Sequence, residues 1–530
     1  MGRGESARGY SSKMPTDGFV QWSEGPISRR VQWAGRWRKL IAQSADALCA
    51  LAEREVGKPD WQGLTGDVLP LLASLKWHEK NAAKILRPKR LGGRPVWLLG
   101  QRHELRRAPI GTVAIIATWN YPIQLLGVQV AQALIAGNRV IVKPSEVSPR
   151  TQEALLRLAV RAGLPEGVLT WTNATRQAGA ELLRNTKIDH VVFTGSTGVG
   201  RQVAAWAAQE LVPTSLELSG NDSAIVLGDA DPELAARSIW QGVVMNAGQT
   251  CMAPRRAIVS RAVYRRFCMA LEALAAGTGG LGRGGVLRLA TPGAGQTVQG
   301  LVAEAVRMGG RVAVGVNEPT PRTDDDPDRV RATAVLDCPA DAPLARGGHF
   351  GPVLAVIVAD DDEAAIRLHS KFDQKLSTAV FTADATGAQR LAARLGSSFV
   401  TINDCVLPTS HPGASIAGIG PSGWGVTRGR DGLLAMTRAV CVSRTSTWLR
   451  LPARRPDAPT LRRMRQMMQF LYGGDGSASL ESLGVRLGDT AAAAADSPTS
   501  TAASTGSADA EREAKTGLAA GPARTRHPET

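Results

Sequence analysis

The sequence predicts an α/β protein built on two parallel sheets. Three observations lead there. Short apolar runs alternate with helical stretches from Gly111 onward, which is the pattern of βαβ units. The alternation runs twice, once before and once after residue 220. The chain has 530 residues, enough for two or three domains and a large core.

Residues 1–26 read as a flexible leader. From Ile27 to about Arg87 apolar residues recur at helical spacing through Leu40, Ile41, Ala45, Leu48 and Leu51. Lys89 to Arg107 reads as extended, with Gly92-Gly93 and Gly100 as hairpin signals. Strands are then expected at Gly111–Ala117, Arg139–Val142, Val168–Trp171 and Ile188–Thr194, with helices at Gln124–Ile135, Thr151–Ala162 and from Arg201. The second set has strands at Ser223–Leu227 and Arg256–Ser260 around a helix from Pro232 to about Met245. The Gly-, Pro- and Asp-rich stretch 277–328 carries no readable pattern. Beyond it come Val353–Val358, a helix near Glu363–His369, Ser377–Phe381, a helix ending near Leu395, and Phe399–Ile402. Residues 451–487 read as an extension. Residues 488–530, rich in Ala, Ser and Thr, cannot bury enough surface to order themselves.

Lys and Arg number 63 against 47 Asp and Glu, a net charge of +16. The arginines are dispersed and no nucleic-acid motif accompanies them, so surface charge is the reading rather than a nucleic-acid partner. The six cysteines lie far apart with no metal-ligand or disulfide-framework spacing. No metal is expected, and a reducing, cytoplasmic setting is. No apolar core follows the N-terminal arginines and serines, so a secretory signal is not expected. The apolar stretch Val113–Val142 is interrupted by Asn120, Pro122, Gln124, Gln129, Gln132 and Asn138 and reads as strand, loop and buried helix, not a membrane span. Residues 459–472 combine Arg462, Arg463 and Arg465 with Met464, Met467, Met468 and Phe470. Docking on the protein's own fold or a partner subunit is the commoner use of such a helix, and peripheral membrane contact the sharper one.

The chemistry centres on Asn246-Ala247-Gly248-Gln249-Thr250-Cys251, a small polar loop after an apolar run. A thiolate there can attack a carbonyl carbon, although a lone cysteine is more often a buried hydrophobe. The resulting tetrahedral oxyanion needs donors; the Asn120 amide, in Trp119-Asn120-Tyr121-Pro122, and the Cys251 backbone N–H can supply them. Hydride loss to a nicotinamide leaves a thioester, whose hydrolysis needs a base. Glu217, among apolar and small residues, is the candidate, though a lone glutamate is more often a cap or ion-pair partner. Gly195 to Gly200 follows a strand and opens a helix, which suits a pyrophosphate, but the GxxGxG spacing is weak by itself. Lys143 and Glu146, after the strand Arg139–Val142, are placed to meet ribose hydroxyls, and the carboxylate favours NAD, with NADP as the alternative.

Together the segments resemble the aldehyde dehydrogenase superfamily from about residue 30 to about 445. The matching stretches are Ala117–Pro122, Lys143-Pro144-Ser145-Glu146, Gly163–Gly167, Phe193–Ser196, Leu216–Gly220, Gly248–Cys251, Phe350-Gly351-Pro352-Val353 and Ile402-Asn403-Asp404. The resemblance implies Cys251 as nucleophile, Glu217 as deacylation base and Asn120 in the oxyanion hole. It implies Lys143, Ser145, Glu146, Gly195, Ser196, Trp119 and Phe350 around the cofactor. The implied organisation is a cofactor domain at 27–218 with a β flap segment near 89–107, a catalytic domain at 219–405, and a return to cofactor domain and flap at 406–450. The flap implies a homo-oligomer, dimer or tetramer, and the short N-terminal part is similar to the dimeric branch acting on aromatic and longer-chain aldehydes. Three departures stand out. Gly348 occupies the place of the family's usual glutamate, with His349 beside it expected as a surface or loop residue. Leu218-Ser219-Gly220-Asn221 replaces a usual Leu-Gly-Gly-Lys. The 277–328 region looks eroded. The expected reaction is aldehyde oxidation to a carboxylic acid. The alternatives are a CoA-acylating dehydrogenase, against which Glu217 argues, and a catalytically weakened relative with a binding or regulatory role.

Overall fold

The computed structural model describes residues 16–93, 95, 98, 100–277, 286–313, 328–446 and 454–473. Met1–Thr447 form one compact unit and Trp448–Thr530 a second. The second unit contributes the helix Ala458–Tyr472, capped by Asp457, whose carboxylate accepts the Thr460 N–H at 2.9 Å. The expected tail 488–530 lies outside the described residues.

The first unit holds two parallel sheets, as the alternating runs require. One has six strands in the order Gly423–Trp424, Thr214–Leu218, His190–Gly195, Thr112–Ile116, Arg139–Lys143 and Leu169–Trp171. All pairings are parallel except the Gly423–Trp424 edge. The chain lays down Thr112–Ile116, moves outward through Arg139–Lys143 and Leu169–Trp171, then returns to the other side at His190–Gly195. Strand order therefore reverses between Thr112–Ile116 and His190–Gly195. Ligands of open parallel sheets bind in the crevice beyond the strand ends at such a switch point.

The other sheet has seven strands in the order Arg311–Val312, Thr333–Leu336, Val353–Ala359, Pro254–Ser260, Asp222–Val226, Ser377–Phe381 and Phe399–Ile402. Only the Arg311–Val312 edge is antiparallel. The central strands are buried on both faces, which explains why they read as continuous apolar runs. Gln101–Pro109 pairs along its length with Thr437–Thr445 and also with Lys89–Arg90, forming a separate three-stranded antiparallel sheet.

Several elements differ from expectation. Residues 16–23 are not part of a loose leader: Thr16–Ser23 is a helix. The cause is Trp22, fully buried edge-on against Trp33, its indole N–H donating to the Leu134 carbonyl at 3.0 Å. Trp33 stacks on Trp37, and their indoles reach the carbonyls of Ala159 and Leu155. Three tryptophans thus fasten the N-terminal helices to the crossover helices Gln124–Ile135 and Pro149–Arg161. The 277–328 stretch carries a strand, Val286–Arg288, and a helix, Ala294–Arg307; residues 278–285 and 314–327 lie outside the described residues. The helices Arg176–Asn185 and Arg261–Ala276 were not expected. The helix after Gly195 begins at Thr197, so Gly198 and Gly200 sit within it.

Replacing Trp33 with Ala removes a fully buried aromatic shared by these helices and should cost about 3–5 kcal/mol. A thermal melt followed by circular dichroism checks it: a clearly lowered midpoint is expected, and an unchanged one contradicts the packing role.

Candidate active site

The two sheets meet through a very short connection. Thr214–Leu218 ends the first sheet's chain path on that side, and Asp222–Val226 begins the second sheet. Only Ser219-Gly220-Asn221 lie between. Asp222 pairs with Pro254 at the start of its neighbour, and Cys251 lies just before Pro254. The carboxyl edge of one sheet therefore faces the amino edge of the other, bringing Glu217 and Cys251 into one cleft. Gly220 is required there, because a Cβ would collide with the Cys251 carbonyl oxygen.

The cleft is a cavity of about 170 Å³ lined by Asn120, Glu217 and Cys251 together with Thr118, Trp119, Gly195, Ser196 and Phe350. Seven of the residues singled out from sequence line it; Lys143, Ser145 and Glu146 lie beside the neighbouring strand end. Cys251 packs against an apolar cluster of Met252, Leu376 and Ile416, which Phe399 also flanks. Burial drives its thiol up to about 12, with the Glu217 and Asp222 carboxylates pushing the same way and the Arg255 guanidinium opposing them. At neutral pH the resting group is the thiol. Its loop is strained: Asn246 and Ala247 have φ of 53° and 54°, followed by Gly248 at 73°. Two non-glycine residues in left-handed backbone cost on the order of 1–2 kcal/mol each, and such strain clusters at functional sites. Gly248 also admits the Gly351 carbonyl where a side chain would stand.

The opposing wall is a buried polar knot. The Lys58 ammonium is ion-paired with Asp67, both wholly inside. Lys58 Nζ donates to the Asn120 carbonyl at 2.9 Å, and Asn246 Nδ2 donates to the same oxygen at 2.9 Å. Asp67 accepts the N–H groups of Ile123 and Gln124 at the start of the helix Gln124–Ile135. The Asn120 side chain is oriented at both ends: Oδ1 accepts from the Thr118 hydroxyl at 3.1 Å and Nδ2 donates to the Gln249 carbonyl at 3.0 Å. The Tyr121 hydroxyl meets the Thr250 hydroxyl at 2.7 Å.

Glu217 is buried, and burial raises its carboxyl above the usual range, with the Thr427 hydroxyl and the Arg428 guanidinium opposing that rise. Thr427 Oγ1 donates to Oε2 at 3.0 Å, and Oε1 has no partner.

The cofactor candidates sit at the switch point. Lys143 ends the strand Arg139–Lys143, and its Nζ reaches Glu146 Oε2 at 2.8 Å. Arg176 also approaches Glu146, at 3.4 Å. Burial acts to raise the Glu146 carboxyl, but Lys143 and Arg176 prevail and hold it below the usual range. The Ser145 N–H donates to Gln152 Oε1, whose amide in turn donates to the Thr118 carbonyl. Ser196 caps the helix Thr197–Gln209. Trp119 and Phe350 face each other with ring centroids 6.1 Å apart.

His349 stands in a loop, one of the two places expected for it, but is buried rather than at the surface, and neither ring nitrogen has a hydrogen-bond partner. Burial and the Arg255 and Arg256 guanidiniums keep it neutral. Beside Gly348, Gln374 Oε1 lies 3.6 Å from where a Cβ would stand, and the Gln374 amide donates to Thr197 Oγ1 and the Ser219 carbonyl. Sequence reasoning missed Lys58, Asp67, Gln374, Thr427 and Arg428. A lysine between Gly57 and Pro59, at the end of an amphipathic helix, was the one available signal among them.

A thiol, an oriented amide and a buried carboxylate beside a parallel-sheet switch point define an α/β oxidoreductase architecture. Residues 13–442 match the Aldehyde dehydrogenase family, and the chain belongs to it. It is 31% identical over 463 residues to the 4,4'-diapolycopene aldehyde oxidase of Methylomonas sp, covering 86% of this chain and 85% of that protein. Among solved structures it resembles a Mycobacterium tuberculosis aldehyde dehydrogenase complexed with NAD+, with TM-score 0.73 and 28% identity over 79% of this chain and 86% of that one. It also resembles an E. coli NADP dependent enzyme, with TM-score 0.75 and 27% identity over 81% and 88%. The chain is thus an oxidoreductase of the class acting on aldehydes. No described helix is long and apolar enough to cross a membrane.

Replacing Asp67 with Asn strands the buried Lys58 cation, which should cost about 3–5 kcal/mol. Chemical or thermal unfolding checks it; a variant as stable as the parent contradicts the knot's structural role.

Proposed function

We propose that the protein oxidises an extended, apolar aldehyde to its carboxylic acid, using NAD or NADP, with Cys251 as nucleophile. The observation that carries the reading is that Cys251, Glu217 and Asn120 line one cleft at the sheet switch point. The family membership supports the reaction class, and the NAD+- and NADP-named relatives support the cofactor. The apolar cluster of Met252, Leu376 and Ile416 beside Cys251, with the 4,4'-diapolycopene aldehyde named for the Methylomonas relative, supports the substrate class. The six-stranded sheet would serve as the cofactor domain and the seven-stranded sheet as the catalytic domain. The sheet of Gln101–Pro109 and Thr437–Thr445 would serve as the oligomerisation flap. All six cysteines are free, in keeping with a reducing compartment such as the cytoplasm.

The residues fit a dinucleotide. Lys143 and Glu146 would hold the adenosine ribose, with Ser145 in the same turn. Gly195, Ser196 and the first turn of the helix Thr197–Gln209 would receive the pyrophosphate. Trp119 and Phe350 would flank the nicotinamide end. Arg176 beside Glu146 offers a cation to a 2′-phosphate, so NADP is not repelled by an unpaired carboxylate. When bound, the oxidised nicotinamide supplies the hydride acceptor.

The protein's own part follows from its geometry. The half-buried Cys251 thiol must release its proton to solvent before it attacks, against the nearby Glu217 and Asp222 carboxylates, so Glu217 stays unprotonated for the later hydrolytic step. Sulfur attack on the aldehyde carbon places an oxyanion that the second N–H of the Asn120 amide and the Cys251 backbone N–H can receive. Hydride loss leaves a thioester on Cys251. Glu217 then takes a proton from water as its oxygen attacks the thioester, releasing the acid and the thiol. A buried carboxylate with a raised pKa is suited to that task, and it favours hydrolysis over acyl transfer to CoA.

Reduced-nicotinamide formation with NAD or NADP across short aliphatic, long aliphatic and aromatic aldehydes tests the reading. The highest kcat/KM is expected with long apolar aldehydes; a preference for short, charged ones would overturn the substrate class. Cys251→Ala should abolish turnover while leaving cofactor binding intact. Glu217→Gln should give one burst of about one reduced nicotinamide per site and then stall; an undiminished steady rate in either variant would show that other groups do the chemistry.

The helix Ala458–Tyr472 supports a peripheral membrane contact. At helical spacing, Leu461, Met464, Met467, Met468, Leu471 and Tyr472 share an arc of about 140°, with Arg463 and Arg465 at its two edges. Arginines bordering an apolar arc can reach lipid phosphates while the arc enters the interface. The full chain should co-sediment with phosphatidylglycerol vesicles, and Met464→Asp with Met468→Asp should release it. Equal sedimentation of parent and double variant would contradict this contact.

A further inference from the structure

Arg428 lies beside the proposed chemistry in a position that costs the fold, and the reaction above does not use it. Its side chain is buried. Its backbone has φ of 65°, left-handed for a large residue, and it is followed by Gly429 at 56°. That conformation costs on the order of 1–3 kcal/mol and persists only where surroundings over-determine it. Gln132 supplies the constraint: its Oε1 accepts the Arg428 N–H at 3.2 Å, and its Nε2 donates to the Gly429 carbonyl at 3.0 Å. The guanidinium is aimed inward by this clamp. One nitrogen, Nη1, donates to the Thr409 carbonyl at 2.8 Å, while Nη2 is buried with no hydrogen-bond partner.

A buried cation needs an anion. None of the ion pairs among the described residues involves Arg428. The two groups that act on it electrostatically are Glu217 and Cys251. Glu217 has the complementary deficit: one hydroxyl donor, from Thr427, and one buried oxygen without a partner. Thr427 and Arg428 are consecutive, so the residue that donates its hydroxyl to the carboxylate is followed directly by the buried guanidinium that acts on it electrostatically.

The other charged groups around Cys251 are already engaged. Asp222 accepts the Leu376 N–H and the Ser377 hydroxyl, and Arg255 is its electrostatic partner. Arg255 also holds the nucleophile loop through the Thr250 and Gly351 carbonyls. Tyr121 donates to or accepts from Thr250 and carries no charge. Asp222 thus faces Arg255 and Arg256, Arg255 also acts on Cys251, and Arg428 is the cation that acts on Glu217.

We infer that Arg428 is a positioning residue: it supplies positive charge to Glu217 and, alongside Arg255, to Cys251, and with Thr427 it holds the carboxylate as a base. The inference rests on the dehydrogenase reading, but its test does not depend on turnover. A cation favours both the carboxylate and the thiolate, so removing it makes both groups ionise at higher pH.

Arg428→Gln and Arg428→Lys are compared with the parent, each checked for folding by circular dichroism. The rate of Cys251 alkylation by iodoacetamide is followed against pH by peptide mass spectrometry, without cofactor or substrate. In the Gln variant, alkylation at a fixed pH near 8 should slow about ten-fold, the equivalent of about one pH unit. The acid limb of kcat should move upward by a similar amount. The Lys variant, which keeps the charge, should track the parent in both. A folded Gln variant with both curves unmoved overturns the inference. If the Gln variant does not fold, the Lys variant decides: curves displaced from the parent's overturn it. Absence of turnover in every form would instead sink the dehydrogenase reading and leave the alkylation result standing.

Discussion

The buried ion pair of Lys58 and Asp67 is the constraint on which the rest of the candidate site depends. It lies where three otherwise separate pieces of chain converge. Asp67 holds the first N–H groups of the helix after the Trp119-Asn120-Tyr121-Pro122 turn, and Lys58 holds the Asn120 carbonyl. Asn246 reaches that same carbonyl from the nucleophile loop, while the Gln62 side chain accepts the Asn246 N–H at 2.8 Å. A single oxygen thus registers the oriented amide against the strained loop carrying Cys251. A desolvated pair like this is expensive to form and more expensive to halve. That cost is consistent with a device that fixes geometry rather than one that adds stability.

Around that register, topology does the remaining placement. The three residues between Leu218 and Asp222 set the end of one parallel sheet against the beginning of the other, so a carboxylate and a thiol meet although they belong to different sheets. The strand-order reversal beside Thr112–Ile116 opens the crevice for a dinucleotide next to them. Burial then sets the chemistry: it holds Cys251 as a thiol and Glu217 as a weak acid until substrate, cofactor or neighbouring charges alter the balance.

Much of this was legible in the sequence. Both sets of βαβ elements follow from apolar runs, because parallel strands buried on two faces leave a continuous signal. Ser377–Phe381 and Phe399–Ile402 have the expected bounds, as does the helix Gln124–Ile135. The residues gathered in the cleft were also visible, since Asn120, Glu217 and Cys251 each stand in short, compositionally distinctive stretches. What was not legible is long-range. Lys58 and Asp67 act on residues more than fifty positions away, and Thr427 reaches Glu217 across 210 positions. His349 is a loop residue as the sequence suggests, but its burial, close enough to Arg255 and Arg256 to feel their charge, is not revealed by local pattern. The helix Thr16–Ser23 was hidden for a similar reason: its order comes from Trp22 packing against a distant helix, not from its own propensity. Arg261–Ala276 was hidden because its basic, mixed composition blurs the apolar face.

The most direct test of the account is rapid quenching of the parent enzyme with NAD and a long-chain aldehyde, followed by peptide mass spectrometry of the cysteines. A transient adduct on Cys251, two hydrogens lighter than the simple aldehyde addition product, is the predicted thioester. No such adduct during turnover, or the same adduct on another cysteine, would contradict the assignment of the nucleophile and the cleft built around it.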